Sequence, residues 1–244
     1  MRQRIAIITA RGGSKRIPGK NIREFCGKPI IAYSIKCALD SGLFEEVMVS
    51  TDSGEIAELA RRYGATVPFM RSKKNAGDFA PTVEVILEVL QEYEKLGKSF
   101  HTAVCIYPTA PFVTAEKLMQ AVEILENEGH IEVMPVVRFS YPPQRGYVKQ
   151  GKQIAMQYPK YRTTRSQDLE PIYHDAGQFY CFDVEQFVAC KGIFTDHIGP
   201  IVVNELEVQD IDNEADWKLA ELKYQMMQNM RKITKKRSKS DGTV

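Results

Sequence analysis

Apolar positions along this chain gather in short unbroken runs that alternate with stretches of helical spacing. Ile5-Ala6-Ile7-Ile8, Val47-Met48-Val49 and Ala103-Val104-Cys105-Ile106-Tyr107 are runs of the kind that form strands buried on both faces. Between the first two, residues 29–39 carry Ile31, Ile35 and Leu39 at helical spacing, with Pro29 near the start and Gly42 where a C-terminal cap belongs. Asp52, with Glu55 three residues on, is placed to cap a second helix that Gly64 closes, and residues 65–67 read as a short strand. Thr82 opens a third helix through Val83, Ile86, Leu87, Leu90 and Tyr93 to Gly97. This alternation predicts an α/β fold, Rossmann-like: a doubly wound, mostly parallel sheet with helices on both faces. Ligands of such sheets collect at the carboxyl ends of the strands, where the segment after Ile8, Ser50-Thr51-Asp52 and Pro108-Thr109-Ala110-Pro111 all fall.

The rhythm breaks after the apolar run 131–137. Residues 138–172 carry Pro142, Pro143 and Pro159 and two strand-like pieces, around Tyr147-Val148 and Ile154-Ala155-Met156, split by Gln150-Gly151. The expectation is an excursion that protrudes from the sheet. Tyr141, Tyr147, Met156, Tyr158 and Tyr161 give it apolar surface but too little length for a core, so a homodimer built on it is expected. Residues 178–182 and 200–203 return as strands, and a last helix runs from about Glu214 to Met230 with Asn213 as its cap. The organisation is thus a single domain over 1–230 with the 138–172 excursion inserted in it, then a basic flexible tail, 231–244.

Composition narrows the picture. A 43% hydrophobic content in 244 residues is enough for a sizeable core. Lys and Arg number 33 against 31 acids, which gives no general pull toward nucleic acid, and no apolar run approaches the length of a membrane span. Five cysteines without a C-x-x-C pair read as reduced and mostly buried, and a cytoplasmic location is the expectation.

The charge that matters is local. Arg11, Lys15, Arg16, Lys20 and Arg23 follow the first strand with no acid among them, and Gly12, Gly13 and Gly19 let the backbone approach a ligand. A polyphosphate suits such a loop; a solvated basic loop is the plainer account. The Walker spacing fails, since Ser14 stands where its first glycine belongs and Asn21 follows Lys20, and there is no G-x-G-x-x-G. Asp210-Ile211-Asp212 is the second signal. An extended D-x-D puts two carboxylates on one side of the chain, able to hold Mg²⁺ shared with substrate phosphates, or else only to favour the dipole of the following helix. A non-catalytic nucleotide sensor would keep the loop but has no need of these aspartates.

Ala10 to Lys15 with Pro18, Lys20 and Asn21 resembles the opening motif of the cytidylyltransferases that activate acidic nine-carbon sugars, the family of the CMP-sialic acid synthetases, whose fold is that of the nucleotide-diphospho-sugar transferases. Tyr141-Pro142-Pro143-Gln144-Arg145, the run from Thr164 to Glu170 and the run from His174 to Tyr180 are most similar to the pseudaminic acid branch. The resemblance implies CMP transfer from CTP to a nonulosonic acid, pseudaminic acid first and legionaminic or N-acetylneuraminic acid as alternatives. It implies that Arg11, Ser14 and Lys15 line the triphosphate, that Gly12 and Gly13 belong to the nucleotide-binding set, that Lys20 and Asn21 hold phosphate and nucleotide, and that Asp210 and Asp212 bind Mg²⁺, with Arg11, Lys20, Asp210 and Asp212 catalytic. Arg71 and Thr82 fall where the family recognises cytidine, although Arg71 also reads as a surface cation. On the sugar side stand Tyr107, Thr109, Arg165, Gln167 and Asp175; pairing of Arg165 with Asp168 or Glu170 is the competing account, and His174 is taken as structural. Asp52 reads at least as well as a helix cap.

Overall fold

The computed structural model describes residues 3–193 and 196–240, the stretch 231–240 as backbone. Its first half contains β1 (Arg4–Thr9), the small hairpin β2 (Glu24–Phe25) and β3 (Lys28–Pro29), α1 (Ile31–Asp40), β4 (Glu46–Ser50), α2 (Gly54–Arg62), α3 (Thr82–Lys95) and β5 (Thr102–Ile106). Then follow α4 (Ala115–Asn127), β6 (Glu132–Arg138), β7 (Tyr147–Gln150), β8 (Gln153–Met156), β9 (Tyr173–Asp175), β10 (Phe179–Asp183), α5 (Val184–Cys190), β11 (Ile198–Val203) and α6 (Glu214–Ser240).

A seven-stranded sheet runs in the order β11-β6-β10-β5-β1-β4, with β9 also on β6. β1 pairs in parallel with β4 and β5, and β6 with β11. β10 is antiparallel to both its neighbours. It enters from the excursion rather than through a crossover helix, so nothing obliges it to run with the others.

Alternation along the strands divides the core. Ala6, Ile8, Val47, Val49, Val104 and Ile106 pack with residues of α1, α2 and α4 on one face. Ile5, Ile7, Met48, Ala103 and Cys105 pack against Ile86, Val89 and Tyr93 of α3 and Phe187 of α5 on the other. A third cluster lies off the sheet: Ile17, Phe25, Ile30, Phe112, Ile211, Trp217, Ala220 and Met227. It fastens Ile17 of the cationic loop and Ile211 of the D-x-D to the first turns of α6.

Several local expectations are corrected. Residues 65–67 form only the bridge Met48↔Thr66, because Pro68 follows at once and has no N–H to continue a ladder. The cap of α2 is Ser53, whose Oγ accepts from Ile56 N–H at 3.4 Å, and not Asp52. Asn213 caps α6 as expected, its Oδ1 accepting from Ala215 and Asp216 N–H. That helix runs on past Met230 to Ser240, since no Gly or Pro interrupts the basic stretch; residues 241–244 of the expected tail lie outside the described residues. No helix among the described residues is long and apolar enough to cross a membrane.

Candidate active site

β1 ends at Thr9, and the loop that follows is held by its backbone. Ala10 N–H donates to Ser50 O at 2.9 Å, Gly12 N–H to Asp52 Oδ1 at 2.8 Å, and Asn21 Nδ2 to Arg11 O at 2.8 Å. A Cβ on Gly12 would stand 3.0 Å from Ser53 Cβ, which explains a glycine where loop and helix meet so closely. Asp52, free of the capping role, braces the cationic loop instead.

A cavity of about 460 Å³ opens at the strand ends, lined by Arg11, Ser14, Lys15, Arg16, Lys20, Asn21, Arg71, Thr82 and Asp212. Ten of the expected site residues, Tyr107 and Thr109 included, therefore meet in one place. Arg71 is not a surface cation. It is 8% exposed, its Nε donating to Ser50 Oγ at 3.0 Å and its Nη2 to Ser50 O at 2.6 Å, and burial lowers its pKa against the pull of Asp52 and Glu88. Arg23 leaves the group: it forks onto Glu214 at 2.5 and 3.0 Å and lies 4.5 Å over the Trp217 ring. Sequence reasoning missed Asp78, which pairs with Arg11 and, at 2.5 Å, with Lys15 Nζ inside the cavity.

A second cavity, about 610 Å³, shares Tyr107 and Thr109 with the first and adds Arg138, His174, Asp175, Tyr180, Asp210 and Lys223. Its wall exists because β9 and β10 are not one continuous strand. Asp175 faces Val136 and Cys181 faces Val133, so six steps on one chain oppose three on β6, and 176–178 bulge out with Gly177 at φ 62. Asp175 is fixed there by Tyr180 Oη at 2.5 Å and Gly177 N–H at 2.7 Å. The Tyr180 ring stands edge-on to Tyr107, 5.6 Å between centroids, and Tyr107 Oη reaches Thr82 Oγ1 at 3.5 Å. Burial raises the pKa of both phenols, keeping them hydrogen-bonding groups rather than charges. His174 lines the same cavity, Nδ1–H donating to Asp175 O at 2.9 Å and its ring against Phe139.

At the seam, Asp212 lines the first cavity and Asp210 the second, with buried Ile211 as the pin between. Lys20 Nζ donates to Ile211 O, burial lowering its pKa while Asp212 and Asp210 pull it back. Arg16 meets Asp212 Oδ2 at 2.7 Å. Among the described residues there is no group of three or more His, Cys, Asp or Glu able to cage a metal. Asp212 on the cationic cavity and Asp210 on its neighbour are hard oxygen donors of the kind Mg²⁺ takes when waters and phosphate oxygens complete its shell, so the chemistry of these residues fits it.

Arg165 and Gln167 are not brought to either cavity by this chain. Arg165 is exposed and forks onto Asp168, Nε–Oδ2 at 2.8 Å and Nη2–Oδ1 at 3.3 Å, because the 3-10 turn Ser166–Asp168 presents that carboxylate to it. Gln167 lines a neighbouring cavity with Ser166, Arg138 and Asn204. Gly12 and Gly13 shape the loop without lining the first cavity.

A cationic strand-end cavity is thus joined through a shared wall to a second cavity on this α/β sheet. The solved CMP:2-keto-3-deoxy-manno-octonic acid synthetase complexed with CTP has the same fold, with a TM-score of 0.64 at 17% identity over 93% of this chain and 99% of that one. A family model described as Cytidylyltransferase matches residues 5–186, and the chain belongs to that family. It is 39% identical to the pseudaminic acid cytidylyltransferase of Campylobacter jejuni serotype O:2, over 91% of this chain and 96% of that protein. It is 36% identical to the CMP-N,N'-diacetyllegionaminic acid synthase of Legionella pneumophila, over 89% and 94%.

Proposed function

We propose that this cytidylyltransferase carries CMP from CTP to the anomeric hydroxyl of a nonulosonic acid, pseudaminic acid before its relatives. The anomeric oxygen forms a bond to the α-phosphorus, the bond from that phosphorus to the α,β-bridging oxygen breaks, and pyrophosphate and the hydroxyl proton leave. The observation that carries this reading is the seam, where Tyr107 and Thr109 belong to two cavities at once, one cationic and one facing the bulge of β9 and β10.

Arg11 and Lys15 take the phosphate oxygens, Lys20 and Asn21 hold the phosphate-to-nucleotide stretch, and Arg71 and Thr82 serve the cytidine end. Asp210 and Asp212 hold Mg²⁺, which when bound supplies positive charge against the phosphate oxygens. Asp175, held by Tyr180 and Gly177, offers the acceptor a fixed hydrogen-bonding edge. Tyr107, Tyr180 and Ala176 give part of this cavity an apolar face that suits an acid ending in a methyl group, since each sialic acid hydroxyl left unpaired against it costs about 1–3 kcal/mol. A homodimer through the excursion, with Arg165 of one copy serving the acceptor site of the other, completes the reading.

Incubating the protein with CTP, Mg²⁺ and each of pseudaminic, legionaminic and N-acetylneuraminic acid, with pyrophosphate release as the readout, tests it. The highest kcat/KM is expected with pseudaminic acid. No release with any of the three overturns the activity, and equal or better efficiency with N-acetylneuraminic acid overturns the sugar.

A further inference from the structure

An acidic acceptor has to bring its carboxylate into a cavity that already contains Asp175, Glu205 and Asp210. Like charges at contact distances in a partly dry site repel strongly, so the acceptor's carboxylate needs a cation of its own there. Lys223 is one candidate, but its ammonium is taken up by two backbone carbonyls, Val208 O at 2.7 Å and Glu205 O at 3.2 Å. Arg165 of the same chain does not serve: its fork is closed on Asp168 and it lines neither of that chain's cavities.

Arg138 is the remaining guanidinium of the second cavity. It is the last residue of β6, in register with Tyr173 of β9, so its backbone is fixed to the sheet beside the bulge that carries Asp175. Its side chain is exposed and makes no ion pair or side-chain hydrogen bond among the described residues. Arg138 also lines the adjoining cavity of about 550 Å³ that contains Gln167, so it stands where the two spaces meet. A planar fork with five donors matches a carboxylate in a way that an ammonium does not. We infer that Arg138 grips the carboxylate of the acidic sugar and is the residue that makes the acceptor site select an acid. This rests on the reading of the second cavity as the acceptor site.

The test compares wild type with Arg138→Gln, Arg138→Lys and Arg165→Gln, using CTP with the nonulosonic acid that the wild type turns over best and with its methyl ester. Arg138→Gln is expected to raise KM for the acid at least tenfold, leave KM for CTP within about twofold and erase the preference for acid over ester; Arg138→Lys falls between. CTP binding by calorimetry verifies that each variant retains its nucleotide site. An unchanged KM and an unchanged acid-to-ester preference in Arg138→Gln overturn the inference while the activity stands, and so does a loss of that preference confined to Arg165→Gln. If the wild type turns over no nonulosonic acid, the reading and the inference fall together.

Discussion

Two of the loop's cations close on Asp78, an exposed carboxylate that Lys15 and Arg11 hold below the usual carboxylate range. Under the proposed reading a triphosphate brings more charge to the same two cations and displaces it. Asp78→Asn is therefore expected to tighten CTP binding severalfold in calorimetric titration, and an affinity equal to or weaker than wild type refutes the counter-ion role. Lys20 makes a prediction in pH. Its buried ammonium loses its proton below the 10.5 of an ordinary lysine, so charge on the phosphate side disappears as pH rises through that lowered value. The alkaline limb of kcat/KM should come early, and Lys20→Arg, which stays charged, should move the limb upward even where the peak rate falls. Asp210→Asn and Asp212→Asn should keep the fold by circular dichroism and reduce turnover by about two to three orders of magnitude, whereas near-normal rates in a folded variant contradict the metal assignment. Legibility at this scale followed residue type. Cations and paired aspartates announce themselves in sequence, but Asp78 and Asp52 gain their roles only from cations and an N–H that folding brings alongside them.

The third apolar cluster joins elements far apart in the chain: Ile17 in the loop, Phe25 in β2, Ile211 in the D-x-D and Trp217 in α6. Trp217 meets Phe25 edge-on at 5.7 Å between centroids and carries Arg23 on its face. Trp217→Ala should cost about 3–5 kcal/mol in urea unfolding and also weaken CTP binding, because loop and aspartates lose their common support. A variant equally destabilised but with CTP affinity intact would detach the cluster from the site. Helix periodicity had shown α1 and α3 and the cap of α6 in the sequence, since those signals lie within one or two turns. The antiparallel course of β10 and the bulge at 176–178 were not legible, because strand direction and register depend on partners distant in sequence.

For the molecule as a whole, β7 and β8 among the described residues pair only with each other in a sheet of their own, and Tyr141, Tyr147 and Ile154 stand 88%, 63% and 67% exposed. Such a hairpin has no core to justify that surface within one chain, which supports a second copy as its cover. Light scattering at micromolar concentration should give the mass of two chains, and Tyr147→Glu with Ile154→Glu should return it to one; a wild-type monomer rules the arrangement out. The tyrosines of 138–172 are readable in the sequence, but their exposure is not, since it depends on what the rest of the chain leaves uncovered. The two halves of the site also stand on separate foundations. The cationic loop and the aspartates are anchored in the third cluster, while Asp175 ends β9 on its ladder with β6 and is fixed by hydrogen bonds from Tyr180 and Gly177. Under the proposed reading, inherited changes at 175–177 fall on the acceptor cavity alone, so taste can drift across a lineage while the donor chemistry is passed on unchanged.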